Sequence, residues 1–207
     1  MKLTTERLVL REFQENDWPA VLAYQTDPLY LRYYEWIERT PAAVQDFVRM
    51  FLTRQEEQPR TKFQLAIILK SNLELIGNCG IRMESVEAYE ADIGYELSPQ
   101  HWSHGYAIEA ARAIVQFGFT QLHLHRIWAW CLADNVGSVR VLEKLGMRLE
   151  GRLREKEYFK GRWWDTLLFA ILDFEWHAHQ QAKGAGKEES PIPAARTIRT
   201  HAQSTGE

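Results

Sequence analysis

The chain has 207 residues, 45% of them hydrophobic and 26% charged, and a formal net charge of −3. That size and mix suit one sizeable globular domain, and the near-neutral charge excludes a strong electrostatic pull toward nucleic acid or an anionic membrane. Two cysteines, Cys79 and Cys131, are too few for a disulfide scaffold and read as buried reduced thiols in apolar runs.

No run reaches the roughly 20 apolar residues of a membrane helix. The opening MKLTTERLVL lacks the apolar stretch of a secretory signal. The expected location is therefore the cytoplasm. Residues 8–11 read as a first strand. Asn16-Asp17-Trp18-Pro19 marks a helix start with Asp17 as N-cap. Thr40-Pro41 repeats that signal before a helix over residues 42–53, where Val44, Phe47, Val48 and Phe51 recur at helical spacing. Polar residues 55–62 form a loop. Residues 63–69, 75–83 and 92–97 are three strands of an antiparallel meander, with Gly77 and Gly80 signalling a bulge or a close neighbour.

Residues 98–105 are a loop and 106–119 a helix. Its Ile108, Ala111, Val115 and Phe119 share one face; Glu109, Arg112 and Gln116 share the other. Residues 126–132 read as a nearly unbroken buried strand, and 136–145 as a short helix stopped by Gly146. Residues 153–159 and 166–174 are strands flanking the Lys160-Gly161 turn, the second running on into Glu175-Trp176-His177. From Lys183 the composition turns polar and aperiodic, which predicts one domain over residues 1–182 and a disordered tail over 183–207.

The stretch Trp102-Ser103-His104-Gly105-Tyr106-Ala107-Ile108-Glu109-Ala110 joins a strand to an amphipathic helix. A helix start leaves backbone N–H groups unpaired and carries partial positive charge, which suits a phosphate without any basic side chain. Gly105 allows close approach of a ligand, and small Ala107 leaves space. The alternative is an ordinary helix start in which Gly105 only turns the chain. Neither the Gly-Lys-Ser/Thr ending of a P-loop nor the three-glycine spacing of a dinucleotide fold is present.

With this loop in place the chain resembles the GNAT superfamily of N-acetyltransferases, and within it the RimJ/RimL-type protein N-terminal acetyltransferases. The likeness runs from Leu3 to Trp176. It is carried in order by Thr5-Glu6-Arg7-Leu8, Ile93-Gly94-Tyr95-Glu96-Leu97, the Trp102 to Ala110 stretch, Asn135-Val136-Gly137-Ser138, Leu145-Gly146-Met147, Gly151-Arg152-Leu153 and Trp164-Asp165. The resemblance implies a mixed α/β (α+β) fold. Its mostly antiparallel central sheet splays between two middle strands, with helices on both faces and acetyl-CoA wedged into the gap. It implies that the strand ending at Leu97 holds the acetyl and pantetheine groups. The Trp102–Ala107 loop would take the pyrophosphate through the amides of His104, Gly105, Tyr106 and Ala107, and Asn135 would reach the pantetheine. Ser103 and His104 depart from a family pattern of glycine and a basic residue, and a residue at 103 that needed φ > 0 would be strained.

The reaction needs a base for the amine and a hydrogen-bond donor for the leaving thiolate. The tyrosine acid of more distant relatives is replaced here by Leu142. By resemblance, Ser138 serves the thiolate and Glu157, nineteen residues on, is the base, with Glu96 as the alternative base. Each has a plainer reading: Asn135 as a helix N-cap, Ser138 as a first-turn hydroxyl, Glu157 and Glu96 as solvated strand residues. The pairs His123/His125 and His177/His179 lack the accompanying ligands of a metal site, so no metal is expected. Of Trp163 and Trp164, at least one belongs to the core.

An α-amine of pKa near 7.8 is roughly 14% neutral at pH 7, against about 0.04% for a lysine amine. A modest base therefore suits α-amines, and a protein or peptide N-terminus is the expected acceptor. A small-molecule amine (polyamine, antibiotic or metabolite) and a non-catalytic acyl-CoA-binding module are the alternatives. The resemblance also places an acceptor pocket around Tyr30, Tyr33, Tyr34 and Trp36 and suggests a homodimer.

Overall fold

The computed structural model describes residues 1–185. Eight strands form one sheet in the order β1-β2-β3-β4-β5-β6-β8-β7. They are β1 (Lys2–Thr4), β2 (Leu8–Glu12), β3 (Lys62–Leu69), β4 (Leu75–Met83), β5 (Glu90–Leu97), β6 (Arg126–Leu132), β7 (Arg148–Phe159) and β8 (Arg162–Leu172). Every neighbouring pair is antiparallel except β5 and β6, which are parallel. That one parallel pair is short: only Glu90, Ala91 and Asp92 meet Arg126, Ile127 and Trp128. Above Asp92 the two strands part, while β5 stays paired to β4 as far as Leu97.

Helices cover both faces. Helices α1 (Trp18–Gln25), α2 (Pro28–Leu31) and α3 (Pro41–Glu56) supply Val21, Tyr24, Tyr30, Val44 and Phe51 to a core against Ala66 and Ile68 of β3. Helices α4 (Tyr106–Thr120), α5 (Val136–Leu145) and α6 (Asp173–Ala185) pack Ala111, Ile114, Val115, Leu142 and Trp176 against Leu65 and Ile67 of the same strand. Residues 64–69 are therefore buried in an unbroken run, as expected of a strand covered on both sides.

The meander, the loop before α4 and the limits of β4, β6 and α5 follow the sequence reading. Thr40 caps α3, its hydroxyl accepting from Ala43 N at 3.2 Å. Gly77 lies so close to β5 that a Cβ would overlap the Glu96 carbonyl. Both cysteines are free and buried.

Several readings need correction, among them the starts of β7 and β8, which lie at Arg148 and Arg162 rather than at 153 and 166. Asp17 does not cap α1: its carboxylate is held by Arg11 at 2.7 and 2.8 Å and by Gln14 N, because a one-turn 3₁₀ helix over Glu15–Asp17 precedes α1. Strand β6 is not uniformly buried, since Trp130 is 55% exposed. Glu175-Trp176-His177 is helix, not strand; the Glu175 carboxylate accepts from Leu172 N at 3.0 Å and turns the chain into α6. Strand β1 was missed, being three residues long. Helix α6 passes the expected boundary at 182 and continues through Ala185. The rest of the expected tail, 186–207, lies outside the described residues.

Candidate active site

The gap between β5 and β6 is where the expected residues gather. The sheet register sorts them by face. Ala66 of β3 pairs with Asn78, and Asn78 with Glu96. Across the parallel pair and β8, Trp130, Leu132 and Thr166 fall on that same face, and so do Trp164 and its partner Glu157. This is the α1–α3 side. Tyr95 and Cys131 fall on the other side, toward α4 and α5.

At the mouth of the gap the loop before α4 is held by side chains that pin its carbonyls. Arg7 Nη1 donates to the His104 carbonyl at 2.9 Å, while its Nε and Nη2 grip Glu109 at 2.7 and 2.6 Å. The His104 ring lies 2.7 Å from the Trp102 carbonyl, so Nδ1 carries the proton and donates. In a trans peptide the following N–H points opposite to the carbonyl. Pinning carbonyls 102 and 104 therefore aims the Ser103 and Gly105 N–H groups the other way. Ser103 at φ 64° and Gly105 at φ 81° are both left-handed, the backbone form that gathers amides into an anion-binding nest. The first helical bond of α4 runs from Glu109 N to the Gly105 carbonyl, so the N–H groups of Tyr106 and Ala107 have no partner within the helix. The donor set fits a diphosphate carried by backbone alone.

Ser103 thus occupies the strained conformation that the sequence departure raised. His104 does not reach outward as a basic ligand; it folds back on the loop and stacks on Tyr106. The Leu97 carbonyl accepts the Trp102 indole N–H at 2.8 Å. Trp102 thereby ties the loop to the end of β5.

Asn135 caps α5, its side-chain oxygen accepting from Ser138 N at 3.1 Å. The amide nitrogen and the second lone pair of that oxygen stay available to a ligand. Ser138 Oγ lies 2.9 Å from the Tyr95 hydroxyl, which also donates to the Ser138 carbonyl at 3.1 Å. Tyr95 and Ser138 therefore connect β5 to α5 across the gap. Burial pushes the Cys131 thiol up to about 11, with the Ser138 hydroxyl opposing part of that shift. No activated thiolate arises there.

On the opposite face Glu96 is surrounded. It accepts from Tyr24 at 2.7 Å and Gln25 at 3.0 Å, and from Tyr30 and Asn78. Burial, reinforced by the Glu96 charge, raises Tyr24 and Tyr30 well above the usual phenol range, so both remain donors. Tyr30, Tyr34 and Trp36 stack in series, and Arg39 covers Trp36 at 4.1 Å. Glu157 is less enclosed, with only a 3.7 Å ion pair to adjacent Lys156. Trp164 is buried and Trp163 exposed. Thr166 is buried with its hydroxyl unpartnered among the described residues. Within those residues no three potential metal-ligating side chains converge.

The sequence reading named neither Arg7 nor Tyr95 for a role, although both stand inside quoted motifs. It also missed the four donors to Glu96, whose positions in the chain carry no spacing signal.

Comparison with known proteins agrees with this geometry. Residues 7–148 match the family described as acetyltransferase (GNAT) domain. The uncharacterized N-acetyltransferase YnaD of Bacillus subtilis is 35% identical, over 86% of this chain and all of that protein. The crystal structure of a GNAT-family acetyltransferase from Bacillus anthracis superposes with a TM-score of 0.74 at 32% identity, covering 84% of this chain and 99% of that one. The [ribosomal protein uS5]-alanine N-acetyltransferase of Escherichia coli is 24% identical over 85% of this chain and 93% of its own length. A sheet parted between β5 and β6, an amide-lined loop at the head of α4 and these relatives together make the chain a member of the GNAT acetyltransferases, a family of N-acetyltransferases that use acetyl-CoA.

Proposed function

We propose that the chain acetylates the α-amine of a protein or peptide N-terminus, in the manner of the RimJ/RimL-type enzymes. The supporting observation is that the candidate groups are divided between the two faces of the sheet at the gap. Glu157 and Glu96 stand on the α1–α3 side, and Ser138 stands on the α5 side. An amine approaching from the first side meets a carboxylate, and a thiolate leaving toward the second meets a hydroxyl. The nest at residues 103–107 anchors the diphosphate of acetyl-CoA, and the unpaired edge of β5 lies along its arm.

Glu157 is the base in this reading. The oxygens of Glu96 already accept from four side chains, so Glu96 holds α1 and α2 against β5 and orients the aromatic wall. Glu157 removes one proton from the amine, the nitrogen attacks the thioester carbonyl, and Ser138 donates to the departing sulfur. One carboxylate suffices for an α-amine, a fraction of which is neutral at pH 7.

A small-molecule amine is the second reading, and one feature favours it. Lys160 in the β7–β8 turn donates to the Leu31 carbonyl at 2.6 Å, and Tyr33 donates to the Asp134 carbonyl at 3.3 Å. These contacts roof the acceptor side. The test is acetyl-CoA consumption with N-terminal peptides, polyamines and aminoglycosides in parallel. Turnover of peptides is expected, with Glu157→Gln and Ser138→Ala each lowering kcat while acetyl-CoA affinity holds. Turnover confined to polyamines or aminoglycosides would replace the first reading with the second.

A further inference from the structure

The Tyr95 hydroxyl lies 3.1 Å from the Ser138 carbonyl and 2.9 Å from Ser138 Oγ, and its single proton can serve one of them at a time. When that proton is on the carbonyl, the contact between the two hydroxyls uses the proton of Ser138. The serine proton is then turned toward Tyr95 and away from any sulfur in the gap.

We propose that the Tyr95 hydroxyl is a two-position switch, a positioning group that turns from the Ser138 carbonyl to Ser138 Oγ and so releases the serine proton toward the leaving sulfur. The two acceptors lie 3.1 and 2.9 Å from the same phenol oxygen, so rotation about one C–O bond exchanges them with no movement of heavy atoms. In the first position Ser138 donates to Tyr95. In the second it accepts from Tyr95, whose donated bond holds the serine hydroxyl in place and strengthens it as a donor into the gap.

The step conserves its atoms and charge. The C–S bond breaks with its electron pair left on sulfur, the N–C bond forms, and the amine proton passes to Glu157. The thiolate is held by the serine O–H until it takes a proton from water. Neither hydroxyl ionises. That agrees with the burial that raises the Tyr95 phenol above its ordinary range: a proton source at this point would be uphill, whereas a rotating donor is not.

This inference rests on the role proposed for Ser138, and the experiment separates the two. Tyr95→Phe keeps the ring and removes the hydroxyl. It is expected to lower kcat about tenfold or more with an unchanged KM for acetyl-CoA. The double variant Tyr95→Phe/Ser138→Ala should be no slower than Ser138→Ala alone, because the two hydroxyls act as one unit. A second measurement needs no turnover: the thiol of bound CoA, titrated through thiolate ultraviolet absorbance, should ionise about one pH unit higher in Tyr95→Phe than in the unaltered protein. If Ser138→Ala is impaired while Tyr95→Phe matches the unaltered protein in both readouts, the switch is overturned and the serine role stands. If Ser138→Ala is itself silent, both are overturned. Additive losses in the double variant overturn the switch.

Discussion

Ser103 holds φ 64°, a region where an L side chain crowds the backbone at a cost of roughly 1–2 kcal/mol. Replacing it with glycine relieves that strain but adds about 0.4–1 kcal/mol of unfolded-chain freedom, so at the centres of those ranges the gain outweighs the cost by about 1 kcal/mol. Ser103→Gly should therefore raise the melting temperature by a few degrees at most and leave acetyl-CoA binding intact. Ser103→Val, β-branched at a positive φ, should cost about 2 kcal/mol or more in denaturant unfolding. Equal stability of the two variants would refute a strained loop. Arg7 acts on the same loop from outside. Its guanidinium braces the His104 carbonyl and lies 4.5 Å from the centre of the Tyr106 ring, without belonging to the nest itself. We expect Arg7→Ala to raise the KM for acetyl-CoA about tenfold or more with little change in kcat, the size of one charge-assisted hydrogen bond. Arg7→Lys, which keeps the charge but not the fork, should fall between. A normal KM in Arg7→Ala would mean the amides hold their direction without it.

The site depends on where individual elements stop pairing. Strand β5 is bonded to β4 along its length but to β6 only at Glu90–Asp92. Gly77 sets the closeness of the intact side, since a Cβ there would overlap the Glu96 carbonyl and meet the Leu97 Cα. Both obstacles are backbone and cannot swing away. Gly77→Ala should lower the unfolding midpoint and, by pushing the end of β5 toward the gap, also weaken acetyl-CoA binding; calorimetric titration beside thermal melting would show both losses. Loss of stability with untouched affinity would separate the strand from the binding edge. Strand β7 shows how a motif translates into geometry. Gly151-Arg152 and Trp164-Asp165 were quoted only as family landmarks, yet Arg152 Nε donates to Asp165 at 2.6 Å and Glu155 N donates to the same carboxylate at 2.8 Å. These bonds close the bulge between Leu153 and Glu157, whose two extra residues bring Glu157 rather than Glu155 opposite Trp164. The first turn of α6, through His177, reads as strand because an apolar run leads into it; the turn by Asp173 and Glu175 depends on side-chain bonds to backbone that no periodicity displays.

At the scale of the molecule, several carboxylates are held in their charged form. Burial pushes Glu12 upward, but Arg60 and the N-terminal ammonium outweigh it. Burial likewise opposes Glu109, and Thr5 and Arg7 outweigh it there. Both groups therefore sit below the usual 4.5. A carboxylate depressed in the folded state contributes stability that is complete above its unfolded value and is lost as pH falls through the folded one. The melting temperature should stay level from pH 7 to about 5 and drop below about 4.5, as β1, β2 and the head of α4 lose their charged ties. A melting temperature unchanged to pH 3 would contradict these assignments. Glu109 also links stability to function, since it fixes Arg7 under the phosphate loop; acetyl-CoA affinity should weaken over the same acid range.

The sequence by itself determined the meander, the helices on α3, α4 and α5, and the loop that opens α4. Those depend on periodicity and on turn residues within a dozen positions, which are local signals. Only the tertiary structure decided that β5 and β6 part above Asp92, that Glu96 is filled by four donors, and that Tyr95 meets Ser138 from 43 residues away. These outcomes depend on the register between strands distant in sequence and on which face each side chain takes. A one-residue slip would reverse that face while leaving every local pattern unchanged.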